Sequence, residues 1–231
     1  MFYITGDTHG SFERIDCFVQ EKKLTQKDCI IILGDSGFNY FLDHRDTYLK
    51  RKVNGFGPKL FCIRGNHEER PENISTYTTA SFCGGTVFCE PSFPNLLFAK
   101  DGEVYNVNGK ATIVIGGAYS IDKQFRLAGR GHWFASEQLT KVEMSSIEKT
   151  LSSMNWKVDC VLSHTAPEKY EPRELFLSFI DQSTVDKTME LWLDKVEDRL
   201  AYKEWYFGHY HGDKKVNSSV TMLYRKIQKF S

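Results

Sequence analysis

Met1-Phe2-Tyr3-Ile4-Thr5-Gly6-Asp7-Thr8-His9-Gly10-Ser11 is the stretch from which the rest of the chain is read. An apolar run of strand length stops at a glycine, and two metal-ligating residue types, Asp7 and His9, follow at once. From Ser11 the period changes: Phe12, Ile15, Phe18 and Val19 mark one helix face, with Ser11 placed to cap it. The unit is strand, polar turn, helix, and its strand and polar turn recur. Cys29-Ile30-Ile31-Ile32-Leu33 is stopped by Gly34-Asp35, and Leu60-Phe61-Cys62-Ile63 by Arg64-Gly65-Asn66-His67-Glu68. Residues 158–162 lead into Ser163-His164, and Glu204–Phe207 into Gly208-His209-Tyr210-His211.

Continuous apolar strands alternating with helices predict sheets covered on a face by helices. Residues 40–53 read as a helix with a poor apolar face, and residues 183–201 as the clearest helix, with Val185, Met189, Trp192, Leu193, Val196 and Leu200 aligned. A third helix is expected from a Ser136 cap to Leu151, with Leu139, Val142, Ile147 and Leu151 inward. Residues 103–107 and 111–115 flank Asn108-Gly109, a hairpin signal of type I′. Residues 86–89 and 96–99 add strands, and 220–224 closes a sheet before a basic tail at 225–229.

A chain of 231 residues can bury one substantial core, so a single domain over 1–231 is expected. With 41% hydrophobic and 26% charged residues, disorder is excluded. Thirty basic and 30 acidic residues cancel, leaving no global field for nucleic acid or membrane, though a local patch stays open. No apolar run approaches the ~20 residues that span a bilayer. A cleaved leader would remove Asp7 and His9, so a cytoplasmic location is expected. The six cysteines form no C-x-x-C pair; Cys29, Cys62 and Cys160 read as buried free thiols.

Asp7, His9, Asp35, Asn66, His164, His209 and His211 are oxygen or imidazole donors, a set suited to borderline divalent metals such as Mn, Fe and Zn. Alone, a strand-end aspartate usually serves a turn, and a lone histidine is usually hydrogen-bonded in place. Five motifs in order, each at a strand end where open sheets collect ligands, point instead to one site. In extended backbone, residues i and i+2 point the same way, so Asp7/His9 and His209/His211 would each enter one pocket as a pair. Two ions roughly 3.5–4 Å apart need a bridging ligand, and Asp35 is the natural one. His44 and His132 lack such company and read as ordinary residues.

The ordered set D-x-H, G-D, G-N-H-E, H and G-H-x-H, spanning residues 6–211, resembles the calcineurin-like metallophosphoesterase superfamily. Gly6-Asp7-Thr8-His9-Gly10 and Arg64-Gly65-Asn66-His67-Glu68 are similar to its phosphoprotein phosphatase branch, including diadenosine tetraphosphatases. The resemblance implies an α/β fold: a four-layer αββα sandwich of two mixed β-sheets flanked by helices. It implies two divalent transition-metal ions, manganese first, with iron, zinc or nickel as alternatives. Asp7, His9, Asp35 and His211 would hold one, and Asp35, Asn66, His164 and His209 the other. A hydroxide bridging them would attack phosphorus, with His67 assisting the leaving oxygen and Arg64 clamping phosphate. Glu68 is a candidate for positioning His67.

One departure matters. That branch carries Asp-Arg-Gly three residues after the second motif's aspartate, whereas Ser36-Gly37-Phe38-Asn39 follows Asp35 here, so the branch's second phosphate-binding arginine is missing. Asn39 is either a substitute substrate contact or an ordinary loop asparagine, and the protein-phosphatase reading is weakened. Residues 119–134 interleave Lys123, Arg126 and Arg130 with aromatics, which suits a phosphate bearing a stackable base; Arg126 and Arg130 are its candidate contacts. The expectation is a phosphoesterase acting on small phosphorylated molecules or nucleotides. The rivals are a phosphoprotein phosphatase, an inactive scaffold (which should have lost ligands) and a nuclease, which neutral charge disfavours. Nucleic acid stays open as a partner and a membrane is not expected. The sequence does not give the oligomeric state.

Overall fold

A computed structural model describes residues 1–231, the side chain of Arg130 excepted, so the expectation for Arg130 lies outside the described residues. The first half runs β1 (Phe2–Thr5), α1 (Glu13–Lys22), β2 (Cys29–Ile32), α2 (His44–Asn54), β3 (Lys59–Cys62), β4 (Thr78–Phe82), β5 (Gly85–Cys89) and β6 (Leu96–Ala99). The second runs β7 (Val104–Val107), β8 (Lys110–Ile115), a single turn α3 (Lys123–Phe125), α4 (Lys141–Ser153), β9 (Cys160–Ser163), α5 (Thr188–Glu197) and β10 (Glu204–Phe207). It ends with β11 (Lys214–Lys215), β12 (Val220–Met222) and β13 (Gln228–Lys229).

Successive strand residues face opposite sides of a sheet, and β2 shows what this does here. Cys29 and Ile31 join an apolar cluster with Val114, Cys160 and Leu162 of the other sheet, while Ile30 and Ile32 join one with Ile15, Val19 and Val53 of α1 and α2. Both faces are covered, which is why the strand is apolar without alternation. A third cluster packs Ile113, Ile115 and Val161 against Met144, Ile147 and Leu151 of α4 and Met189, Leu193 and Val196 of α5. The layers are therefore helix, sheet, sheet, helix, as the resemblance implies. One sheet has the order β13-β1-β2-β3-β6-β5-β4 and the other β11-β12-β10-β9-β8-β7. In the first, β1, β2, β3 and β6 are parallel; in the second, β8, β9, β10 and β12 are. Parallel strands end on the same side, so the loops after β1, β2 and β3 emerge together, and those after β9 and β10 likewise.

Several local expectations shift. Helix α4 starts at a Thr140 cap, not Ser136, because Thr140 and Glu143 form a reciprocal capping box while the Ser136 hydroxyl donates to Glu69. Val142, expected inward, is 79% exposed; Met144 takes the buried face. Phe12 rather than Ser11 holds the α1 cap position, and the Ser11 hydroxyl donates to Glu13. Helix α5 is shorter than 183–201, since residues 182–184 form a separate 3-10 turn. The poor apolar face of α2 has a reason: its buried residues include Asp46, which accepts from the Phe41 and Leu42 backbone, and Lys50, paired with Glu90 at 2.6 Å. The hairpin forms with Asn108 and Gly109 both at positive φ, as a type I′ turn requires. The basic tail is not merely a tail, because β13 pairs with β1. No helix is long and apolar enough to cross a membrane among the described residues.

Candidate metal centre

The loops after the parallel strands are laced by backbone before any side chain acts. Thr8 and His9 N–H donate to the Asp35 carbonyl at 3.2 and 2.8 Å, and Gly10 N–H to Ser36 at 3.0 Å. Arg14 of α1 donates to the carbonyls of Gly6, Asp7 and Tyr224, pinning the first loop against the C-terminal one. Each central carboxylate then gives one oxygen to backbone: Asp7 Oδ1 accepts from His209 N–H at 3.0 Å and Asp35 Oδ1 from His67 N–H at 2.8 Å. The other oxygens face imidazoles. Asp7 Oδ2 lies 3.7 Å from His9 Nε2 and 3.4 Å from His211 Nε2; it is buried with no hydrogen-bond partner. Asp35 Oδ2 lies 3.7 Å from His164 Nε2, 3.8 Å from His67 Nε2 and 3.9 Å from His9 Nδ1. Gly65 is small for this reason, since a Cβ there would stand 1.9 Å from Asp35 Oδ1.

The imidazoles converge in two sets. His164 Nδ1 lies 2.7 Å from the Leu33 carbonyl, an acceptor, which assigns the proton to Nδ1 and turns the Nε2 lone pair inward. That Nε2 is 2.8 Å from Asn66 Oδ1, and His209 Nδ1 is 3.1 Å from the same oxygen. Asn66 is oriented by its Nδ2, which donates to Ser120 Oγ at 2.8 Å. In the other set His9 Nε2 and His211 Nε2 are 2.8 Å apart, beside Asp7. Nitrogens and oxygens converging this closely, with a buried carboxylate oxygen lacking a partner, suit a cation among them. Asp7, His9 and His211 form one compact group of ligand atoms, and Asp7, Asp35 and His164 another, each within 4.8 Å.

Titration follows the geometry. Burial would raise both aspartates, yet His211, His164 and His9 around Asp7, and His67, His164 and His9 around Asp35, outweigh it and hold both carboxyls below their usual range. Burial pushes His209 down to about 3, keeping it neutral, and also lowers His67. The neighbouring Asp7 carboxylate raises His211.

Extended backbone does not account for the pairs, contrary to the i, i+2 expectation. His9, Asp35, His209 and His211 all have positive φ, at 46°, 46°, 65° and 53°. Such left-handed conformations are costly for residues with a Cβ and persist where surrounding contacts impose them. One consequence is that His209 and His211 diverge, the first toward Asn66 and the second toward Asp7 and His9.

Other expected residues fall differently. Arg64 is 2% exposed and turned away from the centre: Nε and Nη2 meet Asp101 Oδ2 at 3.1 and 3.0 Å, and Nη1 donates to the Glu137 carbonyl at 2.9 Å. Arg64 ties β3 to the loops around it, and these partners occupy the guanidinium expected to clamp phosphate. Asn39 is fully buried, accepting from Tyr77 OH at 3.0 Å and donating to the Glu69 carbonyl, so it has no free group for substrate. Glu68 is buried beneath the loop, accepting from Ser36 Oγ and Gly65 N–H, and is pushed up to about 7 by burial; it does not orient His67, whose Nδ1 has no hydrogen-bond partner. Arg126 does reach the site: its Nη2 is 3.5 Å from His67 Nε2, with Nη1 donating to Tyr40 OH and Nε to Asp122. Sequence reading missed Ser120 and Arg14, whose roles depend on partners 54 and 7–210 residues away.

Two clefts open from the centre, and both are lined by Asp35 and His67. One, of about 470 Å³, includes His9, Tyr40, Phe41, Arg45 and Arg126. The other, of about 410 Å³, includes Asn66, Leu175, Phe176, Leu177, Val185 and Glu190.

A family model described as calcineurin-like phosphoesterase matches residues 1–218. Among solved structures, that of TT1561 of Thermus thermophilus is 12% identical, with 96% of this chain and 87% of that one covered and a TM-score of 0.52. At that identity the likeness is one of fold. The structure of phosphopantetheinyl hydrolase (PptH) from Mycobacterium tuberculosis is 13% identical over 96% of this chain and 87% of that one, with a TM-score of 0.46. No curated protein matches the chain.

Proposed function

The chain belongs to the calcineurin-like phosphoesterase family of metal-dependent hydrolases, and from that premise we propose a binuclear phosphoesterase that cleaves P–O bonds of small phosphorylated molecules or nucleotides. The observation that carries the binuclear reading is the buried, partnerless Asp7 Oδ2 amid converging imidazole nitrogens, with Asp35 between the two sets. Asp7, His9, Asp35 and His211 would hold one ion, and Asp35, Asn66, His164 and His209 the second. Mixed carboxylate and imidazole donors suit manganese, with iron, zinc or nickel as alternatives. When bound, such ions supply Lewis acidity at the phosphoryl oxygens and a strong nucleophile from water at neutral pH.

The chain's own groups do the rest. His67 stands where both clefts meet and, when its ring is protonated, can pass a proton to the departing oxygen through Nε2. Arg126, held by Tyr40 and Asp122, presents its guanidinium beside His67 and takes the anionic phosphoryl oxygens, the part first assigned to Arg64. Clefts of a few hundred Å³ support a small substrate over a folded phosphoprotein.

The test is elemental analysis after Mn²⁺ loading, together with turnover of aryl phosphates. Two ions per chain are expected, and a reproducible ceiling at one would sink the binuclear assignment. His67→Ala should keep both ions and lose about 10²–10⁴ in kcat. Loss of an ion in that variant would show that His67 is a ligand.

A further inference from the structure

A phosphate monoester has one organic arm; this centre has room for two. Asp35 and His67 line both clefts, so a phosphorus held at the centre faces a cavity on either side. The cavities differ in chemistry. In the first, Arg45 lies 3.8 Å over the Phe41 ring, and Arg126 lies beside Tyr40, so cations and aromatic faces are paired. The second has no lysine or arginine among its described lining residues. Leu175, Phe176, Leu177 and Val185 form its apolar wall, and Phe176 stacks on Tyr210 with ring centroids 6.2 Å apart. Of its carboxylates, Asp122 is paired with Arg126 and Glu171 with Lys187. Apart from Asp35 at the centre itself, Glu190 is the exception. It is 4% exposed, accepts from Thr165 Oγ1 at 2.7 Å through Oε1, and has no hydrogen-bond partner at Oε2.

Resting on the phosphoesterase reading, we infer that the preferred substrate is an asymmetric phosphodiester. One arm, aromatic, lies against Tyr40 and Phe41 beside Arg45 and Arg126, whose charges Asp43 and Asp122 already pair. The other is apolar and not anionic, and carries an amide or hydroxyl that reaches Glu190 Oε2. A buried polar oxygen without a partner is costly, and a polar group of the substrate relieves that cost only when the second arm is present. A monoester would leave one cleft unfilled by substrate. Hydrolysis balances simply: a water oxygen forms the new P–O bond, the P–O bond to one arm breaks, and that arm leaves as an alcohol carrying a proton, giving a monoester and an alcohol.

The Mn-loaded full chain is assayed on p-nitrophenyl phosphate and on phenyl p-nitrophenyl phosphate, which share a chromophore and differ by one apolar arm. The diester should exceed the monoester in kcat/KM by about tenfold or more. Leu175 and Leu177 are 44% and 46% exposed, so Leu175→Trp and Leu177→Trp are surface changes that narrow the second cleft. Either should lower the diester-to-monoester ratio by about tenfold. Of two diesters differing only by an amide group in the apolar arm, the amide form should be preferred. A monoester preference, or a ratio unmoved by both substitutions, overturns the diester assignment, and equal rates for the amide pair remove Glu190 from it. Failure of the loaded enzyme to turn over any of these esters refutes the underlying phosphoesterase reading instead.

Discussion

Gly65→Ala should disable the centre without touching a ligand. The added Cβ would stand 1.9 Å from Asp35 Oδ1 and 2.2 Å from Asp35 N, against a floor of 3.0 Å for real contacts, so at least 1.1 Å must be found (3.0 − 1.9). Rotamer change offers no escape, because one of the struck atoms is backbone. Gly65 itself is held, its N–H donating to Glu68 Oε1 at 2.8 Å and its neighbour Arg64 locked to Asp101. The strain therefore falls on Asp35, which joins the two ligand sets. Forced overpacking costs about 1–3 kcal/mol, and a misplacement near 1 Å at a reacting centre costs about 10²-fold in rate. The assay is Mn content, kcat on an aryl phosphate, and urea unfolding, with Gly84→Ala as the control. Gly84 has nothing within 4 Å of its would-be Cβ but sits at φ +81°, so that variant should lose about 1–2 kcal/mol of stability from backbone strain and keep its rate. A Gly65→Ala protein with two ions and a kcat within about threefold of the parent would refute the reasoning.

Ser120→Ala frees the Asn66 amide and should weaken metal binding about 10–100-fold in a Mn²⁺ titration, with little change in unfolding midpoint. Arg64→Ala should cost about 3–5 kcal/mol in urea unfolding, because Asp101 and the Glu137 carbonyl lose a buried partner; a raised KM at unchanged stability would restore Arg64 as a substrate residue. Burial pushes Glu190 up to about 7 from an ordinary 4.5, so the folded state keeps a proton that the unfolded state has released. Stability from this group is therefore full below the unfolded value and lost as pH rises from about 4.5 through about 7, on the order of 3 kcal/mol in all. Glu190→Gln should flatten that slope in metal-free protein between about pH 5 and pH 8, and an unchanged slope would assign it to another group.

Some of this molecule is readable one residue after another. Strand runs such as Cys29–Ile32 are apolar on both faces because a helix layer and a second sheet cover them, and that covering writes itself into local composition. The glycines and donor residues that follow those runs mark the strand ends, so the positions from which Asp7, Asp35, Asn66, His164 and His209 project were legible at once, while the order of the layers came only with the family resemblance. The ionic buried face of α2 and the polar edge strand β4 were not, because neither has an apolar period.

What only the tertiary structure decided is which side chain meets which. Arg64 and Arg126 are equally good guanidiniums in sequence; Asp101 and the Glu137 carbonyl capture the first, while Tyr40 and Asp122 hold the second beside His67. The same holds for Asn39, taken up by Tyr77, for Ser120, recruited to orient Asn66, and for the left-handed turns that send His209 and His211 to different sets. A strand is dictated by its own residues and the repeat of the backbone. A hydrogen bond or ion pair is dictated by whichever long-range partner folding brings within about 3 Å, and neighbouring residues carry no record of that choice.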